Sequence, residues 1–372
     1  MARKKRLSAK QQKLKDQTRF RIRDEERVLE ETCREKPAER VLFQSVSAGF
    51  AAGEYARTHE QADVSCHFLD VFDAQSTVTH QEHGRAGDSL NVICTPDLPE
   101  EKYNLIALPF RQQTEGELLL DWLDQAYLRL EEGGELVVTA TQGRAHWVHQ
   151  QLQQLFSKVT KKEGKKSVMF SGRRKGPLKR DRRFDADVSY KFEERIMSIR
   201  TRPGVFCHRR MDDGARALIK VSATLPGNSL LDLGCGCGVV GITLANAERS
   251  VRFVDSNARA VSVAAHNAEA NGVTDAIYEL NCNGTETEEQ FDLILANPPY
   301  FSNFKIAELF AGVGYERLSP EGTLVFVTKT PEWFEQRLPL YFGHVESGKS
   351  GKYAVIIGRE PHQSTGMSET NR

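Results

Sequence analysis

The chain has 372 residues, of which 39% are hydrophobic and 27% are charged, and its 51 basic and 51 acidic side chains give a formal net charge of zero. This length predicts two domains, each large enough to bury a core of its own. No apolar run approaches the roughly 18 residues of a membrane-spanning helix, so we expect a soluble protein with no membrane partner.

The cysteines and the first residues of the chain indicate a cytoplasmic protein. The seven cysteines are odd in number and contain no C-x-x-C pair, which argues against a disulfide framework and against a zinc site. No apolar segment follows the first charged residues, as it would in a secretory signal. We therefore expect a monomer in a reducing, cytoplasmic compartment, with no bound metal.

The basic charge is concentrated in two blocks. Residues 1–23 carry ten Lys or Arg side chains and one acid, and residues 158–183 carry twelve and two acids. One such block is often a solvated tail, but two blocks favour the binding of phosphates, and hence of RNA or DNA. Apolar residues are too sparse in residues 1–36 to cover a buried face, so a charged helix or a disordered arm is expected there, ended by Pro37.

Residues 37–175 alternate short apolar runs with longer mixed segments, which predicts an α/β domain with a mostly parallel sheet. The predicted strands are Val41–Phe43, Val64–Leu69, Leu90–Cys94, Tyr103–Leu108, Glu135–Thr139 and Ser167–Phe170. Between them, Leu118–Leu130 has apolar residues at helical spacing and predicts a crossover helix. We assign its apolar stripe to the core.

The second half of the chain repeats the first at a nearly constant distance. Tyr103–Ile106 matches Phe291–Ile294, and Gly134–Val137 matches Gly322–Val325, both 188 residues further on. The offset then becomes 186, with these pairs: Trp147 and Trp333, Phe156 and Phe342, Lys166 and Lys352, Gly172 and Gly358. An offset held over roughly eighty residues predicts an internal duplication of one α/β domain. Two unrelated α/β domains with similar turns are the alternative.

Three further segments complete the predicted organisation. Residues 176–202 read as a basic linker, in which Val188–Phe192 and Arg195–Arg200 are expected to pair as a small hairpin. Residues 203–360 form the second α/β domain. Residues 361–372 are expected to be a disordered tail.

Leu230–Gly238 predicts a buried strand that ends in an acid and a glycine-rich turn. Its glycines allow the backbone to approach a bound nucleoside closely: Gly234, Gly236 and Gly238. Asp232 lies beside this turn, and Asp255 ends the next strand at a distance that suits an acid accepting both hydroxyls of a ribose. NAD-binding turns share these features, so the pattern alone leaves the cofactor open.

Phe291–Tyr300 predicts another buried strand, which stops at an amide, two prolines and an aromatic ring. Pro298 and Pro299 remove two backbone donors and fix φ twice, which gives a stiff corner rich in carbonyl groups. The Asn297 side-chain oxygen and the Pro298 carbonyl would hold the N–H groups of an amine, while Tyr300 stacks on its ring. Hydride transfer has no use for such a corner. The sequence therefore favours methylation of a planar nitrogen, with S-adenosyl-L-methionine as the methyl donor.

The second half resembles the small-domain class I methyltransferases, and the tandem arrangement is similar to the ribosomal RNA guanine-N2 methyltransferases of the RsmC/RlmG type. Besides the motifs above, the resemblance rests on Pro203–Phe206, Asp212–Gly214 and Asn271–Val273. It implies two tandem Rossmann-like methyltransferase domains, of which the N-terminal copy is degenerate and binds no cofactor. In this chain Pro109–Gln112 stands opposite Asn297–Tyr300. It also implies methylation of the N2 amino group of a guanine in ribosomal RNA, either free or within a ribosomal subunit.

The resemblance also assigns roles to single residues. Asp232 and the three glycines would lie against the methionine part of S-adenosyl-L-methionine, and Asp255 would bind its ribose. Asp212 is carried over as a residue lining the cofactor site, and Asn281 as a partner of the adenine amino group. The degenerate domain is expected to hold RNA through the basic residues at and beyond its end, which are Arg173, Arg174, Lys175, Lys179 and Arg180.

Other functions would use the same features. Methylation of adenine N6 in RNA or DNA, or of a glutamine amide in a protein, presents an amino group to the same corner. A non-enzymatic alternative is an RNA-binding ribosome-assembly factor with a vestigial methyltransferase fold. The intact Asp232–Gly238, Asp255 and Asn297–Tyr300 argue against that alternative, because a vestigial pair should have eroded in both halves.

Overall fold

The computed structural model describes residues 22–82, 89–180, 182–299 and 302–362, and these divide into two compact units. The N-terminal unit contains the residues up to Phe68 and Asp73–Arg182, and the C-terminal unit contains Leu69–Phe72 and the residues from Arg183 onward. Within these four ranges, no helix is both long enough and apolar enough to cross a membrane.

Strands and helices alternate along the N-terminal unit. Its elements are α1 Asp24–Cys33, β1 Arg40–Gln44, α2 Phe50–Thr58, β2 Asp63–Phe68, α3 Val71–Glu82, β3 Leu90–Cys94, β4 Tyr103–Phe110, α4 Gly116–Arg129, β5 Leu130–Thr141, α5 Gln142–Leu155, β6 Val159–Glu163 and β7 Ser167–Arg173. The seven strands form one sheet in the order β3-β2-β1-β4-β5-β7-β6. The first five of these are parallel and β7 is antiparallel to both of its neighbours. Only residues 164–166 join β6 to β7, and a connection this short cannot make the crossover that a parallel pair needs.

Helix α1 requires a correction to what the sequence predicts for residues 1–36. Its Leu29 and Cys33 are fully buried in the core of the N-terminal unit. The expectation that this segment buries no face is therefore wrong for α1. The face holds few apolar side chains, but its buried Glu26 is satisfied by the backbone N–H groups of Val46 and Ala51, at 2.9 and 3.2 Å. Residues 1–21 lie outside the described ranges.

The C-terminal unit begins with a hairpin, in the segment where the sequence indicates one, and continues as a second α/β layer structure. Its elements are β8 Ala186–Phe192, β9 Arg195–Thr201, α6 Asp213–Ser222, β10 Ser229–Leu233, α7 Val239–Leu244, β11 Ser250–Asp255, α8 Ala258–Ala270, β12 Ala276–Leu280, β13 Phe291–Ala296, α9 Lys305–Arg317, β14 Leu318–Thr328, α10 Pro331–Arg337, a 3₁₀ turn Leu338–Leu340, β15 Phe342–Ser350 and β16 Tyr353–Pro361. Strands β8 and β9 pair antiparallel as a separate two-stranded sheet.

The sheet of the C-terminal unit has the order β12-β11-β10-β13-β14-β16-β15, which is the strand order of the N-terminal sheet. Its first five strands are parallel, and the central ones are almost continuous apolar runs because helices cover both faces. The order reverses between β10 and β13. Ligands of such sheets bind outside the carboxyl ends of the strands at this switch point.

Candidate active site

A cleft lies at the carboxyl end of β10 in the C-terminal unit. Its floor is the turn after β10, where Gly234 and Gly236 lie, and Asn297 at the end of β13 lines it as well. The side that the hairpin contributes consists of Val188, Tyr190, Ile199 and Thr201. The loop before α6 adds Phe206, Cys207, Arg210, Met211 and Asp212.

The turn after β10 depends on glycine for two different reasons. Gly236 has a φ of 55°, and a Cβ built there would have no atom within 4 Å, so this stretch of backbone borders open space. Gly238 has a φ of 78° and begins α7, and a Cβ on it would come within 3.0 Å of Ala264 Cβ. One glycine thus keeps the floor of the cleft open, and the other lets α7 and α8 pack closely.

Two carboxylates hold this turn. Asp232 is buried and accepts a hydrogen bond from the backbone N–H of Gly241 at 2.9 Å. Burial raises the pKa of Asp232 to about 7 against the lowering effect of that bond, and the nearby Asp255 raises it further. Asp255 accepts from the N–H groups of Gly236 and Asn257, both at 2.9 Å, and burial raises its pKa as well.

Asn297 directly follows β13, so the end of a buried strand fixes its backbone. Its side-chain Nδ2 donates to Asp212 Oδ2 at 2.9 Å. Asp212 is the N-cap residue of α6 and also accepts from the N–H of Ala215 at 3.0 Å. Pro298 and Pro299 continue the corner, whereas Tyr300 lies outside the described ranges.

The structure brings together five of the predicted site residues and leaves others outside the cleft. The cleft is lined by Asp212, Asp232, Gly234, Gly236 and Asn297. Asp255 does not line the cleft but accepts a hydrogen bond from Gly236, which does. Gly238 lies outside the cleft and packs against Ala264. Asn281 uses its amide within its own loop, because Nδ2 donates to Glu279 and Oδ1 accepts from Asn283. A role for Asn281 toward adenine stays a prediction.

The sequence does not predict that hairpin residues line the cleft, since β8 and β9 read as part of a basic linker. A signal was present, since Val188 and Tyr190 alternate with polar residues at the period of a strand. Tyr190 donates or accepts a 2.5 Å bond with Thr243 of α7, which ties the hairpin to the turn. The ring of Phe304, another aromatic near the corner, is stacked on Trp333 with centroids 5.0 Å apart.

The basic residues predicted to bind RNA lie at the end of the N-terminal unit and differ in how they are engaged. Arg173 donates to Glu135 Oε2 at 3.0 Å, and Arg174 donates to the backbone carbonyl of Leu130. Lys175, Lys179 and Arg180 are exposed. Arg180 donates to Gln154 at 2.6 Å.

Comparison with known proteins identifies the family of this chain. Residues 196–357 match the family model described as the methyltransferase small domain. The ribosomal RNA small subunit methyltransferase C of Hahella chejuensis is 37% identical over 145 residues, covering 36% of this chain and 42% of that protein. Its counterpart from Chromohalobacter salexigens is 33% identical over 157 residues, covering 39% and 47%.

Two further relatives extend the comparison. The uncharacterised YbxB of Bacillus subtilis is 31% identical over 144 residues, covering 37% of this chain and 72% of that protein. The matches therefore span about half the length of the curated methyltransferases but most of YbxB. Among solved structures, the T. thermophilus 16S rRNA N2 G1207 methyltransferase (RsmC), in complex with AdoMet and guanosine, superposes with a TM-score of 0.77. It is 21% identical and the alignment covers 92% of this chain and 93% of that one, which establishes a common fold.

Proposed function

Because this chain belongs to the methyltransferase small domain family of class I S-adenosyl-L-methionine-dependent methyltransferases, we propose that it methylates the exocyclic N2 amino group of a guanine in ribosomal RNA. The observation that carries this proposal is the position of Asn297. Its side chain lines the same cleft as the glycine turn and Asp232, at the end of the strand next to β10. An amide acceptor thus borders the cofactor site, where an incoming amine must meet the methyl group.

The residues of the cleft fit S-adenosyl-L-methionine. The open space at Gly236 admits a ligand against the backbone, and the buried Asp232 offers negative charge to a cationic ligand. When bound, the cofactor supplies an electrophilic methyl group on a cationic sulfur. Asp255, hydrogen-bonded to Gly236, is the proposed ribose acceptor, with one carboxylate oxygen held by the turn.

The chain contributes alignment and electrostatics to the transfer. The lone pair of an aryl amine is delocalised into its ring, so the amine is a weak nucleophile until acceptors orient its N–H groups. Asn297 Oδ1 and the Pro298 carbonyl are the proposed acceptor pair, and Tyr300 is proposed to stack on the base. The N–C bond would form as the S–CH3 bond breaks and a neutral thioether leaves. The methylated nitrogen would then be cationic and acidic and would lose one proton to water, so the step needs no strong general base, and positioning supplies most of the acceleration.

An Asn297→Ala variant tests the proposal. With labelled S-adenosyl-L-methionine and small-subunit ribosomal RNA from cells that lack this chain, we expect the transfer rate to fall by about 100-fold or more. The affinity for the cofactor should change little. Asn246→Ala, in an exposed turn, is the control and should keep the wild-type rate. Full transfer by Asn297→Ala would contradict the proposal.

We also propose that the two units arose by internal duplication, and the strand register supports this. Tyr103 pairs with Leu130 and Leu105 with Glu135, so the register shifts because β5 advances by five residues while β4 advances by two. In the C-terminal sheet, Phe291 pairs with Leu318 and Leu293 with Thr323, which is the same shift between β13 and β14. The same irregularity thus recurs at the offset of 188. The change of offset to 186 recurs as well, with the pairs Leu136–Gly172 and Leu324–Gly358. Two unrelated sheets would have no reason to share an irregularity at one offset.

The N-terminal unit is proposed to be the degenerate copy. By register, Phe43 and Phe68 stand where the C-terminal unit has Asp232 and Asp255, and both rings are buried. Glu26 of α1 accepts from the Ser45 hydroxyl and from the Val46 and Ala51 N–H groups, so its carboxylate occupies the loop that corresponds to the glycine turn. We infer that this carboxylate takes the place that a ligand would have in an active copy. This unit is left with the proposed role of holding RNA through Lys175, Lys179 and Arg180.

A further inference from the structure

The Asn297 side chain can support methylation in only one of its two orientations. An amide presents an acceptor oxygen at one end and two N–H donors at the other, and the two ends have almost the same shape. A target amine must donate its N–H groups, so Oδ1 has to face it. In the reversed orientation, the Nδ2 donors of the amide would face the N–H donors of the amine, and no hydrogen bond could form. Some other group must therefore select the productive orientation, and this inference rests on the function proposed above.

Asp212 provides that selection. Its Oδ2 lies 2.9 Å from Asn297 Nδ2, and a carboxylate accepts hydrogen bonds without donating them. Only the orientation with Nδ2 toward Asp212 is favourable, which leaves Oδ1 on the other side of the amide. Both side chains line the cleft, so the bond is formed inside the site.

The Asp212 carboxylate is itself fixed by the start of α6. Its Oδ2 accepts from the N–H of Ala215 at 3.0 Å, and its backbone carbonyl accepts from the N–H of Arg216 at 3.0 Å. The positive end of the helix dipole favours an anion at this position. The start of α6 therefore holds the Asp212 carboxylate in one orientation toward Asn297. The two residues are 85 positions apart in the chain.

Gly214 leaves the space in which the two groups meet. A Cβ at this position would lie 2.6 Å from Asp212 Oδ2, 3.0 Å from Asn297 Nδ2 and 3.1 Å from Tyr353 Cε1. Any larger residue would separate the carboxylate from the amide. We propose that Asp212 is a positioning residue, which holds Asn297 with its acceptor oxygen toward the substrate amine, and that Gly214 makes this contact possible.

Two substitutions of Asp212 test the proposal without removing the helix cap. Asn and Ser are both good N-cap residues, so Asp212→Asn and Asp212→Ser should leave the thermal unfolding midpoint nearly unchanged. Asn can donate as well as accept, and Ser is too short to reach Asn297. We expect kcat to fall by roughly 10- to 100-fold in both variants, because the amide is no longer held in one orientation. The KM for S-adenosyl-L-methionine should change less than about threefold.

A double substitution separates positioning from other roles. In an Asn297→Ala background, Asp212→Ser should lower the single-turnover rate no further, because the amide that Asp212 positions has been removed while Ser still caps α6. The matched control is Asp213→Asn, whose exposed carboxylate pairs with Lys352 at 2.5 Å. It should keep the wild-type kcat.

Three results would overturn the inference. The first is an unchanged kcat in both Asp212 variants while Asn297→Ala is inactive, which would leave the proposed function intact. The second is a raised KM for S-adenosyl-L-methionine at constant kcat, which would make Asp212 a cofactor contact. The third is full activity of Asn297→Ala, which would overturn both this inference and the proposed function.

Discussion

At the scale of single residues, the buried carboxyl of Asp232 links the stability of the cleft to pH. Burial raises its pKa from 3.8 to about 7, so the folded protein without cofactor takes up a proton at this site more readily than the unfolded chain. Its contribution to stability is therefore fully present below about pH 4 and is lost as pH rises through about 7. A cationic ligand reverses this preference, since it favours the ionised carboxylate.

We predict that S-adenosyl-L-methionine binds more tightly as pH rises toward 7. Below the pKa of Asp232, binding must release a proton, so the affinity should fall by up to about tenfold per pH unit on acidification. Calorimetric titration between about pH 5.5 and 7.5 measures this dependence. Asp232→Asn should bind more weakly and with a flatter profile, and an equally steep profile in that variant would contradict the assignment to Asp232.

Some residues of the site could be predicted from the sequence, and others could not. Asp232 lies one residue before the end of β10 and Asn297 directly follows β13, and such positions are visible in the sequence as polar residues at the end of apolar runs. The bond between Asp212 and Asn297 joins residues far apart in the chain, and no local pattern reports it. The buried state of Glu26 was likewise hidden, because its partners are the Ser45 hydroxyl and the backbone N–H groups of Val46 and Ala51, all distant from it in the chain.

At the scale of secondary-structure elements, the hairpin of β8 and β9 forms one side of the cleft proposed to hold the cofactor. Tyr190 points from β8 into the cleft and bonds to Thr243 of α7. Its neighbour Lys191 is on the opposite, exposed face of the strand. The alternation of the strand thus assigns one face to the cofactor site and one to solvent.

We predict that Tyr190→Ala weakens S-adenosyl-L-methionine binding by about tenfold, or 1.4 kcal/mol, because one side of the cleft loses its ring and its tie to α7. Equilibrium dialysis with labelled cofactor measures the change. Lys191→Ala is the matched control and should bind like the wild type. Equal binding by the two variants would show that the hairpin takes no part in the site.

Helix α1 stabilises the loop after β1 in the N-terminal unit through Glu26, and a Glu26→Ala variant tests this role. The change leaves the N–H groups of Val46 and Ala51 without their acceptor, so we expect a loss of about 1–3 kcal/mol in the free energy of unfolding, measured with urea. Glu31→Ala, on the exposed face of α1, should have no such effect. Cofactor titration should still give a single site per chain. A second site in Glu26→Ala would mean that the copy is blocked rather than degenerate.

At the scale of the whole molecule, the two units share one strand order but have different proposed functions. The C-terminal unit is proposed to transfer the methyl group, and the N-terminal unit to bind RNA. The alternation of strands and helices along the chain was predicted from the apolar runs, and the repeat was visible as a constant offset, whereas the order of the strands within each sheet was not predicted. Two edge strands were harder to predict, β6 in the N-terminal sheet and β15 in the C-terminal sheet, because their mostly exposed residues show little apolar periodicity. The burial of α1 required knowledge of the tertiary contacts of Glu26.

The exposed basic side chains of the N-terminal unit give a prediction about RNA binding. Replacing Lys175, Lys179 and Arg180 by Ala should weaken binding and lower the slope of log affinity against log salt by about 0.7 to 0.9 per lost phosphate contact. Arg173 and Arg174 are left unchanged because they hold Glu135 and the Leu130 carbonyl. Filter binding over a salt series measures the slope, with Lys220→Ala as the control. An unchanged slope would remove these residues from the interface.

The central claim is methyl transfer to guanine N2 in ribosomal RNA at the Asn297 corner. Its most direct test is mass spectrometry of nucleosides from the ribosomal RNA of cells that lack this chain, complemented with wild type or Asn297→Ala. We predict that one N2-methylguanosine is missing, that the wild-type chain restores it and that Asn297→Ala does not. A full set of N2-methylguanosines in the deleted cells, or the loss of N6-methyladenosine instead, would contradict the claim.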